Sequence, residues 1–100
     1  MNTSPFRPFI PPTDDGYQRL SGTSSQASTA LAEGQNATLI VSGEIAVNVR
    51  WSASSPTAVG TDVELPAGSR VDWLVTSDTK FVATVPADGA STAECWVFNS

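Results

Sequence analysis

Hydrophobic and polar residues alternate most regularly between Glu44 and Ser52, in the stretch E-I-A-V-N-V-R-W-S. The apolar side chains at every second position are Ile45, Val47, Val49 and Trp51. This period of two is typical of a strand with one buried face, whereas a helix would scatter these side chains around its circumference. Because three of the four are β-branched and the fourth is a large aromatic, they suit a half-buried pleated surface. We therefore interpret this stretch as a core strand.

Shorter apolar runs with turn residues between them follow the same pattern. They lie at about residues 37–42, 62–65, 71–75, 81–85 and 91–98, and residues 27–31 form a weaker candidate. About seven short strands at regular spacing, without a convincing helical segment, indicate an all-β fold. The sequence predicts a small β-sandwich or jelly roll over residues 21–100.

Turn signals predict how some of these strands connect. Gly43 alone separates residues 37–42 from the core strand, so we expect the two to pair as a hairpin. Asp88-Gly89 is a dipeptide favoured in two-residue hairpin loops, which predicts a closing hairpin over residues 81–97. Pro66 to Ser69 has the composition of a further turn.

Some apolar residues fall on the side of a strand that alternation assigns to solvent. In the last strand Trp96 and Phe98 lie opposite Cys95 and Val97. Three more residues lie opposite the main apolar faces of their strands, namely Ile40, Leu74 and Val82. Two explanations stay open. Either the N-terminal arm or a long loop covers this second face, or the face is a subunit interface.

Residues 1–20 are interpreted as an extended N-terminal arm. Four prolines, Pro5, Pro8, Pro11 and Pro12, remove amide donors and favour polyproline-like geometry. The same stretch carries the apolar residues Phe6, Phe9, Ile10, Tyr17 and Leu20. A disordered tail is the alternative, because chain termini usually fray. The apolar content favours an ordered arm whose side chains are anchors on its own domain or on a neighbour.

Composition narrows the classes of partner. The net charge is −5, the isoelectric point is near 4.2, and the five basic residues form no cluster. These values argue against nucleic acid or an anionic membrane as partner. The chain lacks an apolar run of about 18 residues and the features of a secretory signal, so we expect it to stay in the cytoplasm where it is made.

The residue types needed for most catalytic sites are scarce. Histidine is absent and Cys95 is the single cysteine, which disfavours nucleophilic triads and transition-metal sites. Carboxylate pairs such as Asp14-Asp15 or Asp62 with Glu64 could serve glycoside hydrolysis, but Glu64 suits an outward strand position better. We expect no catalytic, metal or cofactor site. Cys95 is interpreted as a buried small side chain, with an intersubunit disulfide as the remote alternative.

The three tryptophans raise the alternative of a sugar-stacking platform. Trp51 and Trp73 lie on the apolar sides of their strands, so we expect both in the core. Trp96 is a candidate for a surface contact, with protein or with sugar. A carbohydrate-binding fibre module therefore stays open as a second function.

Several features in this order resemble a known class of protein. They are the N-terminus rich in Pro and Phe, the V-N-V-R-W strand, the L-P-A-G-S turn with the strand after it, and the F-V-A-T-V-P-A-D-G-A-S-T-A-E-C-W-V stretch. The chain resembles the small β-sandwich structural proteins of tailed bacteriophage virions, in particular head decoration, or cement, proteins. Asp14-Asp15 and Cys95-Trp96 depart from this pattern.

The resemblance implies a non-enzymatic protein on the capsid exterior, which forms oligomers, commonly trimers, and clamps neighbouring major capsid protein subunits. A head-tail or tail accessory protein is the nearest structural alternative. The residues predicted to bind partners are Phe6, Pro8, Phe9, Ile10, Tyr17, Leu20, Trp96 and Phe98.

Overall fold

The computed structural model describes residues 17–99, which form eight β-strands. The strands are β1 (Tyr17–Gly22), β2 (Gln26–Ala27), β3 (Asn36–Val41), β4 (Val47–Ser52), β5 (Val63–Leu65), β6 (Arg70–Leu74), β7 (Phe81–Pro86) and β8 (Ala93–Asn99). They build two four-stranded sheets, sheet A in the order β1-β8-β3-β6 and sheet B in the order β2-β7-β4-β5. The predicted all-β sandwich is confirmed. Residues 17–99 contain no helix long and apolar enough to cross a membrane.

The strands pair as one long antiparallel ribbon that folds back on itself at the β4–β5 connection. Along the ribbon β1 pairs with β8, β2 with β7, β3 with β6, and β4 with β5. Winding the ribbon brings β3 beside β8 and β4 beside β7, and these two pairings complete the sheets. Two packed sheets made in this way form a jelly roll, one of the two architectures that the sequence predicts.

The core lies between the sheets and consists of the inward side chains of each strand. Fully buried members include Leu39, Val41, Val47, Val82 and Cys95, all with zero exposure. Alternation along β4 is confirmed at Val47 and Val49. Trp51 and Trp73 both pack against this cluster. The two indole rings meet each other edge to face, with centroids 5.6 Å apart. Both tryptophans therefore belong to the core margin, as predicted.

The predicted hairpin between residues 37–42 and the core strand is wrong. β3 lies in sheet A and β4 lies in sheet B, so the two strands face each other across the core. At the end of β3 the amides of Ser42 and Gly43 both donate to the Glu94 carbonyl, at 3.0 and 3.1 Å. A Cβ on Gly43 would lie 3.2 Å from the Glu94 Cβ, so glycine permits this close approach. Because each strand has one apolar face, packing them face to face buries both faces.

The predicted closing hairpin between β7 and β8 is also wrong, although its turn forms. The Gly89 amide donates to the Pro86 carbonyl at 3.1 Å, and Gly89 has a φ of 74°. The Asp88 carboxylate accepts the amides of Ala90 and Ser91 and the Ser91 hydroxyl, and this hydroxyl is the main reason that the pKa of Asp88 falls to about 2. The turn carries the chain from sheet B to sheet A instead of joining neighbouring strands.

The inward side of β7 is the opposite of the predicted one. Val82 belongs to the core, and its cross-strand partner is Trp51, while Thr84 pairs with Val49. Cross-strand partners in a sheet point to the same face, so Val82 and Thr84 point inward. Ala83 on the other side is fully buried as well. Both sides of β7 are therefore apolar or buried, and alternation alone does not distinguish them.

Residues 17–20, which the sequence prediction placed in the arm, belong to sheet A. Tyr17 to Leu20 are the first residues of β1 and pair with β8. Leu20 is 4% exposed and packs in the core, opposite Cys95. Its assignment as a partner-binding residue is therefore wrong. The register with β8, from Phe98 to Ala93, places these residues in the sheet.

Val49 and Val63 provide a matched test of the core. They are cross-strand partners in sheet B, yet Val49 is 1% exposed and Val63 is 58% exposed. Val49→Ala should lower the free energy of unfolding by about 2 kcal/mol, because it removes buried methyl groups and leaves a cavity. Val63→Ala should cost less than about 1 kcal/mol. Urea titration followed by circular dichroism measures both, and equal losses would contradict the difference in burial between the two valines.

Cys95 predicts a specific response to alkaline pH. Burial raises the pKa of its thiol from 9.0 to about 11, against a smaller opposing effect of the Thr84 hydroxyl. An unfolded chain loses the thiol proton first, so the stabilisation is complete below about pH 9 and is lost as the pH rises toward about 11. Urea unfolding at pH values across this window should show a steeper loss of stability than Cys95→Ala does. Equal pH slopes for the two proteins would refute this role, because the two proteins differ only at Cys95.

Candidate functional site

The outer face of sheet B is covered by the loop of residues 53–62. Register places Asn48 and Ala83 on this outer face, and both are nearly inaccessible to solvent. The Ala58 amide donates to the Ser25 hydroxyl at 2.9 Å, beside the edge strand β2, and Ala58 is itself buried. The loop therefore covers the centre of this face, while the side chains of Arg50 and Glu64 on the same face stay exposed.

Asp62 fixes the far end of the loop. Its carboxylate accepts two hydrogen bonds from the Arg50 guanidinium, at 2.9 and 3.1 Å, and one from the Val59 amide at 2.8 Å. The Asn48 side chain donates to the Asp62 carbonyl at 3.0 Å. The Val59 amide, and after it Arg50, lower the pKa of Asp62. Asp62 is therefore explained as a structural carboxylate, and Glu64 is exposed on the edge strand β5, as predicted.

The outer face of sheet A is not covered by any described loop. We name it the aromatic face, and its side chains are Tyr17, Arg19, Thr38, Ile40, Arg70, Asp72, Leu74, Glu94, Trp96 and Phe98. Cross-strand register brings them together from all four strands. Tyr17 and Leu74 are 38% and 58% exposed, and Trp96, Phe98 and Ile40 are half-buried. This surface is the strongest candidate for a functional site among the described residues.

Trp96 lies at the centre of an interacting group on the aromatic face. The ring of Tyr17 is 5.5 Å from the Trp96 ring, tilted by 41°. The Arg19 guanidinium lies over Trp96, with its central carbon 5.8 Å from the ring centroid, in a cation–π contact. Arg19 also forms an ion pair with Glu94. The orientation of the indole is therefore constrained from two sides.

The other half of the aromatic face combines apolar and paired polar groups. The Thr38 hydroxyl donates to Asp72, and Arg70 contacts the same carboxylate at 3.3 Å. Leu74 and Ile40 supply the aliphatic surface beside these groups. The four charged residues are two arginines and two acids, so the face carries no net charge. Asp72 is accordingly a surface partner of Thr38 and Arg70.

The structure brings together some of the predicted partner-binding residues. Tyr17, Trp96 and Phe98 are neighbours on the aromatic face. Phe6, Pro8, Phe9 and Ile10 lie outside the described residues. Sequence analysis did not single out Arg19, because its partners Glu94 and Trp96 are far away along the chain. The sequence signal for this site was that Trp96 and Ile40 fall on the side of their strands that alternation assigns to solvent.

The described residues offer little for bond-breaking chemistry. No group of three or more His, Cys, Asp or Glu side chains among residues 17–99 could hold a metal ion. Cys95 is fully buried, and its raised pKa keeps the thiol protonated near neutral pH. An intersubunit disulfide would require this residue to leave the core. The arrangement on the aromatic face suits binding of a complementary surface.

Comparison with known proteins gives the fold and not the family. No protein-family model and no curated protein matches the chain. Among solved structures, the chain is similar to a de novo designed double-stranded β-helix whose structure was determined by NMR in solution. The TM-score is 0.55 at 7% sequence identity, over 84% of this chain and 97% of the designed chain. This likeness agrees with the two-sheet architecture described above.

The contacts of Trp96 predict its response to sugars. Because Arg19 lies over the indole, a sugar ring would have to displace a guanidinium that is held by Glu94. Soluble glycans should therefore cause no saturable quenching of tryptophan fluorescence. Trp96→Ala is the control, since it leaves Trp51 and Trp73 to report non-specific effects. Saturable quenching that disappears in this variant would favour the carbohydrate-binding alternative.

Proposed function

We propose that this chain is a non-enzymatic virion structural protein, a capsid decoration (cement) protein that binds and stabilises the major capsid protein lattice. The observation that carries the proposal is the contrast between the two outer faces. A loop covers the apolar centre of the outer face of sheet B, whereas the described residues leave aromatic and aliphatic side chains accessible on sheet A. Accessible apolar patches of this kind mark interaction surfaces.

The chemistry of the aromatic face favours a protein partner over a sugar. Tyrosine, tryptophan and arginine are the residue types that contribute most to protein interfaces, and Tyr17 and Arg19 both contact Trp96. Their contacts hold the side chains in place before binding, which lowers the entropy lost on association. The paired charges around them restrict docking to a partner with matching polar groups.

The jelly-roll fold is compatible with this function without proving it. Jelly rolls occur in viral capsid and lectin domains and in cupins, so the fold alone does not select among them. The N-terminus rich in Pro and Phe supplies further apolar side chains for partner binding, and these residues lie outside the described part of the chain. Together they form the proposed partner-binding surface, on a protein made in the host cytoplasm and attached to the capsid exterior.

A homo-oligomer, with a trimer favoured, fits attachment to a repeating lattice. Several identical contacts on one particle act together through effective concentration, so no single contact has to be strong. A head-tail or tail accessory protein would use the same surface on a different virion partner. A carbohydrate-binding fibre module is the alternative from another class, supported by the accessible Trp96 and Tyr17.

The proposal is tested by replacing the two aromatics of β8. Trp96→Ser with Phe98→Ser should give folded monomers that bind capsids poorly, because each aromatic contributes roughly 1.5–3 kcal/mol when removed from water. Such a loss corresponds to about 100-fold weaker binding or more. Sedimentation velocity measures the assembly state, and co-sedimentation with shells of the cognate major capsid protein measures attachment.

The matched control replaces two exposed apolar residues outside the aromatic face, Val59→Ser with Val63→Ser. This control should assemble and bind like the unmodified chain. Circular dichroism establishes that both double variants are folded. The proposal fails if the unmodified chain does not bind capsid shells, or if the Trp96 and Phe98 variant assembles and binds normally.

A further inference from the structure

The two sheets end in four edge strands, and these strands differ in length. Sheet A ends in β1 and β6, and sheet B ends in β2 and β5. β2 has two residues, β5 three and β6 five, whereas β1 has six. A short edge strand offers few hydrogen-bonding groups to another chain, and shortness is one way in which proteins protect sheet edges. Among the described residues, β1 is therefore the edge that offers most to a further strand.

The pairing of β8 shows which backbone groups of β1 point away from the sheet. The Ser42 amide donates to the Glu94 carbonyl at 3.0 Å, so the backbone groups of Glu94 point toward β3. Along an antiparallel strand, the N–H and C=O groups of successive residues point to opposite sides. The next residue, Cys95, therefore points toward β1, where its cross-strand partner is Leu20. The residues of β1 whose backbone groups lie on the free edge are then Tyr17, Arg19 and Ser21.

The charged residue of β1 does not protect this free edge. Arg19 is the only charged residue in the strand, and its guanidinium lies over Trp96 and pairs with Glu94, both on β8. Its charge is thus directed across the sheet and away from the edge. β1 also contains no proline, so none of its amide donors is missing. Charges and prolines commonly prevent strand addition, and this edge has neither.

β1 keeps its place in the fold without a further strand beside it. Leu20 is 4% exposed and belongs to the core. The Gln18 side chain accepts a hydrogen bond from the Thr29 amide at 2.7 Å, which ties β1 to the connection between β2 and β3. No strand of residues 17–99 pairs with the other side of β1. The free edge is therefore available to a partner.

The chemistry of the edge favours one kind of occupant. A row of amide donors and carbonyl acceptors, repeating every second residue at about 6.8 Å, matches another extended backbone. A second copy of β1 fits poorly, because antiparallel pairing of Tyr17 with Ser21 places two Arg19 side chains opposite each other. Each chain also carries a net charge of −5, so two copies repel. Since Glu94 already neutralises Arg19, the edge calls for an uncharged segment.

We propose that the free edge of β1 binds an extended, uncharged segment of the capsid partner, which adds to the four strands of sheet A as a fifth. Backbone hydrogen bonds from Tyr17, Arg19 and Ser21 hold the segment. The added strand lies beside the aromatic face and leaves it accessible, so one partner contacts both. This inference rests on the proposed function and names the kind of segment that the partner supplies.

Ser21→Pro tests the pairing at a single residue. The Ser21 amide points to the free edge, so proline there removes no bond to β8, and sheets tolerate proline at such positions. The variant should bind shells of the cognate major capsid protein about tenfold more weakly or worse, because a hydrogen bond is lost and the ring obstructs the added strand. Ser21→Thr is the matched control, since it keeps the amide and should bind like the unmodified chain. Co-sedimentation measures binding, and near-ultraviolet circular dichroism shows whether the contact of Tyr17 with Trp96 is kept.

Hydrogen exchange tests the same edge in the unmodified chain. In the free chain the amides of Arg19 and Ser21 should exchange rapidly, whereas the Leu20 amide, which faces Cys95, should be protected. On capsid shells, exchange of the Arg19 and Ser21 amides should become about tenfold slower or more. The chain is exchanged in D₂O on the shells, dissolved in dimethyl sulfoxide to stop exchange, and measured by NMR. This measurement decides the matter if the proline variant does not fold.

The outcomes separate this inference from the proposed function. Normal binding by a folded Ser21→Pro variant, or unprotected Arg19 and Ser21 amides on the shells, would overturn the inference and leave the proposed function standing. Protection of these amides in the free chain that increases with its concentration would identify a second copy as the occupant, and would overturn it as well. If the unmodified chain does not bind the shells, the proposed function fails and this inference fails with it.

Discussion

A two-layer fold has four sheet faces, and packing the layers together buries only two of them. In this domain the inner faces meet through fully buried side chains such as Leu39 and Val82. The loop of residues 53–62, which Asp62 fastens to β4, then covers the centre of one outer face. The remaining outer face carries Trp96 and Leu74 without cover from a described element. This uncovered face is therefore the surface on which the proposed function rests.

Alternation predicted the strands well because it reflects a local property of the chain. It identified the inward side of β4 and the core positions of Trp51 and Trp73. It did not assign strands to sheets, because β3 to β4 and β7 to β8 connect across the core and not along an edge. Turn residues report that the chain reverses, not which sheet it enters next. The site was only partly predictable for the same reason, since Arg19 meets Trp96 through pairing of the first strand with the last.

The ion pair of Arg19 and Glu94 matters for geometry more than for stability. Both side chains are well exposed, and exposed pairs typically contribute about 0.2–1 kcal/mol. Its effect is to hold a guanidinium over the Trp96 ring. A second pair, Arg70 with Asp72, leaves the aromatic face without net charge. Although the whole chain carries a charge of −5, this face would not attract a partner by charge alone. Shape and apolar contact must therefore provide the selectivity.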